Sequence, residues 1–179
     1  MMVKRESWTD APILPRSFYE RGTVTVARAL LGKVLVHGGK AGRIVEVEAY
    51  LGKDDLAAHA SKGITPRTRV IFGPPGYAYV YFIYGMHECL NFVTEPDGIP
   101  GAVLIRSLEP LVGIDGRADG PGRLTRAMGI TRAHNGRDLT RGPLTVRQGP
   151  PRRFRIAVSP RIGIRHCADW PLRFYVVPS

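Results

Sequence analysis

The chain has 179 residues, 44% of them hydrophobic, and a formal charge of +11 from 26 Lys+Arg against 15 Asp+Glu. That length and apolar share suffice for one sizeable core in a single domain over residues 1–179, which excludes a disordered basic tail. A sequence pI of about 10.3 favours a polyanionic partner, nucleic acid ahead of an anionic membrane surface, over a merely solvated basic face.

The charge is unevenly spread. Residues 1–100 hold 12 basic and 10 acidic side chains (net +2), and residues 101–179 hold 14 and 5 (net +9). Of the basic residues 21 are Arg and 5 are Lys, which suits bidentate contacts to phosphate or reflects a GC-rich genome. The longest apolar stretch, Ala78 to Met86, is too short to span a bilayer, and the start MMVKRESWTD has no signal-peptide core. A soluble, cytoplasmic protein with no membrane partner is expected. Cys89 and Cys167 make no disulfide framework, and both are expected to be buried small hydrophobes. His87 with Cys89, and His166 with Cys167, lack zinc-site spacing, and no glycine-rich nucleotide motif is present. No metal, cofactor or nucleotide is therefore expected.

In chain order, Thr23 to Leu31 reads as a helix, followed by strands at Lys33 to His37 and Arg43 to Tyr50. Further strands are expected at Tyr77 to Tyr84, Cys89 to Thr94 and Ala102 to Leu108. A short helix around Arg123 to Met128 precedes strands at Leu144 to Arg147, Arg155 to Ser159 and Arg173 to Val177. The connections are mostly too short for parallel crossovers, so the fold class is α+β with a mainly antiparallel sheet.

Two segments stand out. In RIVEVEAY, alternation places Ile44, Glu46, Glu48 and Tyr50 on one face and Val45, Val47 and Ala49 on the other. The Glu face is either washed by solvent or lines a cleft in which a carboxylate acts as general base. His59 follows in an Ala-rich stretch, as a packed histidine or as part of the same site. In PGYAYVYFIYGMHECLNF, Tyr77, Tyr79 and Tyr81 share a face, and Tyr84-Gly85-Met86 falls at the following turn. The Tyr face is a core face or a stacking surface. A hairpin tip carrying Tyr and Met has no obvious core to enter, and a wedge entering a base stack needs such a tip.

The segments Ile44 to Tyr50, Ala57-Ala58-His59, Thr65-Pro66-Arg67, Tyr79-Val80-Tyr81, Ile83 to Met86 and Val103 to Pro110 resemble, in order and spacing, the alkyladenine (3-methyladenine) DNA glycosylase family. Gly120 to Leu124, Pro160 to Ile164 and Pro171 to Val176 fit too, so the likeness runs over nearly the whole chain. It implies a single mixed domain with a curved antiparallel sheet and short flanking helices. It also implies excision of damaged purines from double-stranded DNA: 3-methyladenine, with 7-methylguanine, hypoxanthine or ethenoadenine as further candidates. In such enzymes the base is flipped out and a carboxylate activates water to attack the sugar C1′.

The resemblance makes Glu48 the base and Arg106 the arginine that holds water and nucleotide. It places Tyr50 and Tyr81 on opposite pocket walls with His59 beside them, and makes Asn91 the residue that screens purines. Tyr84, with Met86, matches the wedge, and Arg67 and Arg123 are phosphate contacts by position and charge. A monomer is expected, and a lyase working through an amine nucleophile is not, because only five lysines are present and none is matched to the pocket. His87, Thr68 and the acidic loop Thr94 to Pro100 depart from the family pattern, and a partner-binding N-terminal tail of the kind some relatives carry is not expected. The residues leave two other readings open. One is a non-catalytic module for damaged DNA or structured nucleic acid, against which the carboxylate argues. The other is an RNA-binding domain, for which no motif speaks. The near-neutral first hundred residues are expected to hold the pocket, and the second half the grip on phosphate.

Overall fold

Strand β2 (Lys40–Tyr50) is the hub of an eight-stranded, wholly antiparallel sheet, because both of its edges are used along its length. One edge pairs with β5 (Ala102–Val112). The other pairs first with β1 (Val34–His37) and then, from Glu46 to Glu48, with β8 (Arg173–Val177). Beyond β5 lie β4 (His87–Val93) and β3 (Ala78–Ile83), beyond β1 lies β6 (Leu144–Arg147), and β7 (Arg155–Ser159) pairs with β8. The computed structural model describes residues 10–178. The start read above for a signal peptide lies largely outside the described residues.

The sheet bends where its ladder is irregular. Register shifts between β2 and β5 flank Glu46, so that Val45 and Arg106 have no opposite partner. Such bulges increase local twist and re-aim side chains. One expectation is corrected here: Ile44 does not share the face of Glu46, Glu48 and Tyr50. It is fully buried in the main core with Val47 and Ala49, because the irregularity after Ile44 breaks the two-residue alternation.

Three short helices flank the sheet: α1 (Arg16–Tyr19), α2 (Thr23–Leu30) and α3 (Pro121–Met128). The α2 helix buries Thr23, Val26, Ala27 and Leu30, a helical i, i+3, i+4, i+7 stripe, against β2 and β5. Burying a side chain such as Val26 or Leu30 contributes roughly 1.5–3 kcal/mol. The Thr94 to Pro100 loop has a structural task at the start of this helix. Glu95 Oε2 accepts from Thr23 N at 2.7 Å and from Thr23 Oγ1 at 2.8 Å, a carboxylate at the positive end of the helix dipole. The α3 helix packs on β4 and β5, and its last carbonyls, Ala127 O and Met128 O, are met by Lys40 Nζ and His37 Nδ1.

Among the described residues no helix is long and apolar enough to cross a membrane. Cys89 is buried as expected, but Cys167 is only half-buried, because it lies in the irregular stretch before β8 rather than on a strand.

Candidate active site

A cavity of about 500 Å³ opens between the end of β2, strands β3 to β5, the start of α3 and the loop at 162–164. Its wall is drawn from both halves of the chain, which corrects the expected division of labour. Leu104, Arg106, Gly120 to Arg123 and Ile162 to Ile164 line it together with Tyr50, His59 and Tyr81. The second half also directs several of its arginines inward, at carboxylates, rather than outward.

Glu48 is completely shielded from solvent. It lies behind the cavity wall, and three neighbours that do line the cavity hold it. Tyr50 Oη donates to Oε1 at 2.9 Å, the backbone N–H of Ile162 donates to Oε2 at 2.7 Å, and Arg106 Nη1 is 3.6 Å from Oε1. A buried carboxylate without such partners is costly, and charge-assisted bonds of this kind are the stronger class. Burial first, then the negative charge of Glu48 and the bond to it, push the Tyr50 hydroxyl far above its ordinary value, so Tyr50 remains a donor.

Glu46, two residues back on the same face, accepts from Arg106 Nε at 3.4 Å and from Arg173 Nε. Arg106 thus bridges the two carboxylates while Arg173 on β8 anchors the outer one. The sequence reading left the Glu face exposed or in a cleft; the structure buries Glu48 beneath one.

The opposite end of the cavity is aromatic. His59 opens a single 3-10 turn (His59–Lys62), and its Nδ1 shares a hydrogen bond with Tyr79 Oη at 2.8 Å. The His59 and Tyr81 rings meet with centroids 4.4 Å apart, and Tyr79 and Tyr81 are 5.5 Å apart. Burial first, then the charges of Arg67 and Lys62, lower the His59 pKa to about 4. A neutral imidazole with one donor and one acceptor nitrogen results. Tyr50 and Tyr81 both line the cavity, and among the described residues no ring contact joins them. Asn91 is buried in the wall, and its Nδ2 donates to Tyr79 O at 3.2 Å.

The mouth carries the exposed tip. Tyr84 is 78% and Met86 62% exposed, at the apex of the β3–β4 hairpin. Tyr84 (φ 54°) and Gly85 (φ 65°) both take the left-handed conformation, as in a type I′ turn. Asn or Gly is the usual occupant of the first position, so a tyrosine there carries backbone strain. Beside the tip, His87 packs so closely on α3 that a Cβ at Gly122 would lie 2.6 Å from His87 Nδ1. Arg123 is exposed at the rim, 3.7 Å from Asp119. Arg67 is exposed as well, with its guanidinium 5.4 Å from the Tyr81 ring centroid. Thr68 is buried, and its hydroxyl closes the 63–68 loop by donating to Gly63 O at 2.8 Å.

The structure therefore brings Arg106, Tyr50, His59, Tyr81, Asn91, Tyr84 and Arg123 around one cavity with Glu48 behind its wall. Met86 does not line it but shares the exposed hairpin tip of Tyr84, and Arg67 does not line it but reaches the Tyr81 ring. Sequence reasoning missed Ile162, whose contribution is a backbone N–H that carries no residue signature. It also missed Asp55, Arg161 and Arg173, which act on segments more than 100 residues away. Chemically, a carboxylate beneath an aromatic slot can take a proton from a water attacking a flat, stacked ligand.

Comparison with known sequences points the same way. The family model described as Methylpurine-DNA glycosylase matches residues 17–179. A protein of Legionella pneumophila (strain Corby) is 54% identical over 171 residues, covering 91% of this chain and 93% of its own length. One of Myxococcus xanthus (strain DK1622) is 52% identical over 176 residues, covering 93% and 91%. One of Methanoculleus marisnigri is 52% identical over 185 residues, covering 93% and 96%. All three carry the name "Putative 3-methyladenine DNA glycosylase".

Proposed function

The chain belongs to the methylpurine-DNA glycosylase family, and on that premise we propose that it flips alkylated or deaminated purines out of double-stranded DNA and hydrolyses their N-glycosidic bond with water activated by Glu48. The proposed substrates are 3-methyladenine and, beside it, 7-methylguanine, hypoxanthine and ethenoadenine. The observation that carries the reading is the fully buried Glu48, held by Tyr50, Ile162 and Arg106 directly behind an aromatic cavity.

In the proposed reaction a water lies on the cavity side of Glu48, near Arg106 and Ile162. Its oxygen bonds to C1′ as its proton passes to Glu48, and the C1′–N bond breaks with its electron pair leaving on the purine. The products are the free base and an abasic site. N3- or N7-alkylated purines carry positive charge, which makes them good leaving groups and favours stacking on the faces of Tyr50 and Tyr81. A neutral His59 adds no repulsive charge to such a base. Asn91 screens the purine edge, Tyr84 and Met86 fill the gap left in the duplex, and Arg67 and Arg123 contact phosphates.

The enzyme is a monofunctional glycosylase; lyase chemistry calls for an amine nucleophile, and among the described residues no lysine lines the cavity. The test is mass spectrometry of free bases released from duplexes carrying each lesion. Release by wild type and its loss in Glu48→Gln are expected. Normal release by Glu48→Gln would remove Glu48 as the base, and tight lesion binding without any free base would leave only a binding role.

A further inference from the structure

Arg161 and Asp55 are 106 residues apart in sequence and form a two-pronged ion pair. Nη1 donates to Oδ2 at 2.6 Å and Nη2 to Oδ1 at 2.9 Å. Both side chains are fully shielded from solvent, and neither lines the cavity. A buried pair of this kind contributes little net stability, because two ions give up their hydration to form it. Its geometric consequences are larger.

Each ion holds backbone on its own side. Asp55 accepts from Leu51 N at 2.9 Å and Ala57 N at 3.2 Å, closing the turn that leads from Tyr50 to His59. Arg161 Nη1 also donates to the carbonyl of Ala49, the residue after Glu48, at 3.1 Å. Its guanidinium lies 4.7 Å from the centroid of the Tyr50 ring. The next residue is Ile162, whose N–H meets Glu48 Oε2. Ile162 is 50% exposed in a stretch without regular secondary structure. Among the described residues, the hydrogen bonds that tie 160–166 to distant parts of the protein are those of Arg161 and Ile162.

We propose that Arg161 and Asp55 are positioning residues, which lock the 161–164 loop against the 50–57 turn and so hold the Ile162 N–H and the Tyr50 hydroxyl on the carboxylate of Glu48. The proposal rests on the reading of Glu48 as the general base. It adds a reason for a fully buried ion pair beside a site that neither partner touches from the cavity side. Small misplacements of catalytic groups cost disproportionately in rate, so an otherwise weakly anchored loop that supplies a donor to the base needs a rigid fastening.

Arg161→Lys tests it, since an ammonium keeps the charge but can neither grip two oxygens in a plane nor stack on Tyr50. Single-turnover excision of hypoxanthine is expected to slow by about tenfold or more. Affinity for a duplex bearing a cleavage-resistant abasic analogue is expected to stay within about threefold. A purely structural role would instead lower the fraction of active enzyme and leave the rate constant of that fraction unchanged. In wild type, the Ile162 amide is expected to exchange its hydrogen slowly by NMR despite its exposed residue, and to exchange faster in Arg161→Lys.

An unchanged rate constant in Arg161→Lys, or a wild-type Ile162 amide that exchanges like an unstructured chain, overturns the proposal. If Arg161→Lys does not fold, Asp55→Asn, which opposes an amide to the guanidinium, is read in the same way. The wild-type exchange measurement stands independently of either variant. Glu48→Gln, run in parallel, separates the two readings: activity there removes the base assignment, whereas the exchange of Ile162 reports on the fastening alone.

Discussion

Tyr50 Oη donates to Glu48 Oε1 at 2.9 Å from two positions further along the same strand, so the residue that supplies a cavity wall also holds the carboxylate behind it. Tyr50→Phe keeps the ring and removes the donor. A hydrogen bond to a charged group contributes about 1.5–3 kcal/mol, so single-turnover excision is expected to fall by about tenfold or more, with lesion affinity largely kept. Equal rates for Tyr50→Phe and wild type would show that the hydroxyl does nothing for Glu48.

His59 supplies a pH dependence whose sign is determined by burial. In the unfolded chain the imidazole takes a proton near its ordinary value of 6.5, but in the folded protein only near about 4. Between those values the unfolded state binds more protons, so stability falls as pH drops through this window, and His59 contributes no pH dependence above it. Melting curves of wild type and His59→Asn across the window check this, with the wild type expected to lose more. An NMR titration midpoint near the ordinary histidine value would contradict a desolvated ring.

Tyr84 sits where the backbone favours Asn or Gly. Tyr84→Asn is expected to raise thermal stability by about 1 kcal/mol through relief of that strain. The same change removes the ring proposed to replace the flipped base, a loss of about 1–3 kcal/mol of stacking. Higher melting temperature with slower excision is the expected combination; unchanged excision would retire Tyr84 as the wedge.

Gly122 is demanded by its neighbour. Alanine is normally about 1 kcal/mol better than glycine inside a helix, yet a Cβ at 122 would meet the His87 ring, with Cγ at 2.9 Å and Cβ at 3.1 Å. Gly122→Ala is therefore expected to destabilise by about 1–3 kcal/mol. In the His87→Ala background the same change is expected to become neutral or stabilising. Urea denaturation of the four proteins measures the coupling, and additive effects would mean that the contact is not what excludes a side chain at 122.

Arg123 stands exposed at the rim, its Nη1 donating to the Asp119 carbonyl at 3.1 Å and lying 3.7 Å from the Asp119 carboxylate, and such exposed pairings are worth little in water. It is free to exchange that partner for a phosphate. Arg123→Gln should weaken binding to all duplexes alike and reduce the slope of log affinity against log salt by about one. A slope that does not move would place Arg123 outside the DNA interface.

The strands from Lys33 to Val177 were legible because alternation and turn spacing are local properties, and every expected strand and both expected helices are present with ends shifted by a few residues. That Tyr50 meets Glu48 was legible for the same reason, since they lie two apart on one strand, and His59, a few residues on, lines the same cavity as Tyr50. Ile44 was misplaced because a bulge depends on how β5 and β8 both pair with β2, and nothing within Ile44 to Tyr50 encodes that. The assignment of the pocket to the first hundred residues failed similarly, since Leu104, Arg106, Gly120 to Arg123 and Ile162 to Ile164 line it too, and position in the sequence does not say where a distant segment folds.

What the sequence by itself determined is the order of antiparallel elements, the Glu and Tyr faces, the exposed hairpin tip and the family likeness, all carried by neighbouring residues. Only the tertiary structure decided that Glu48 is fully buried, that Ile162 lends it a backbone N–H from 114 residues away, and that Arg161 reaches Asp55 and Arg173 reaches Glu46. Periodicity reports the local geometry of one strand, whereas these partners are chosen by the packing of segments that meet only when the sheet closes around them.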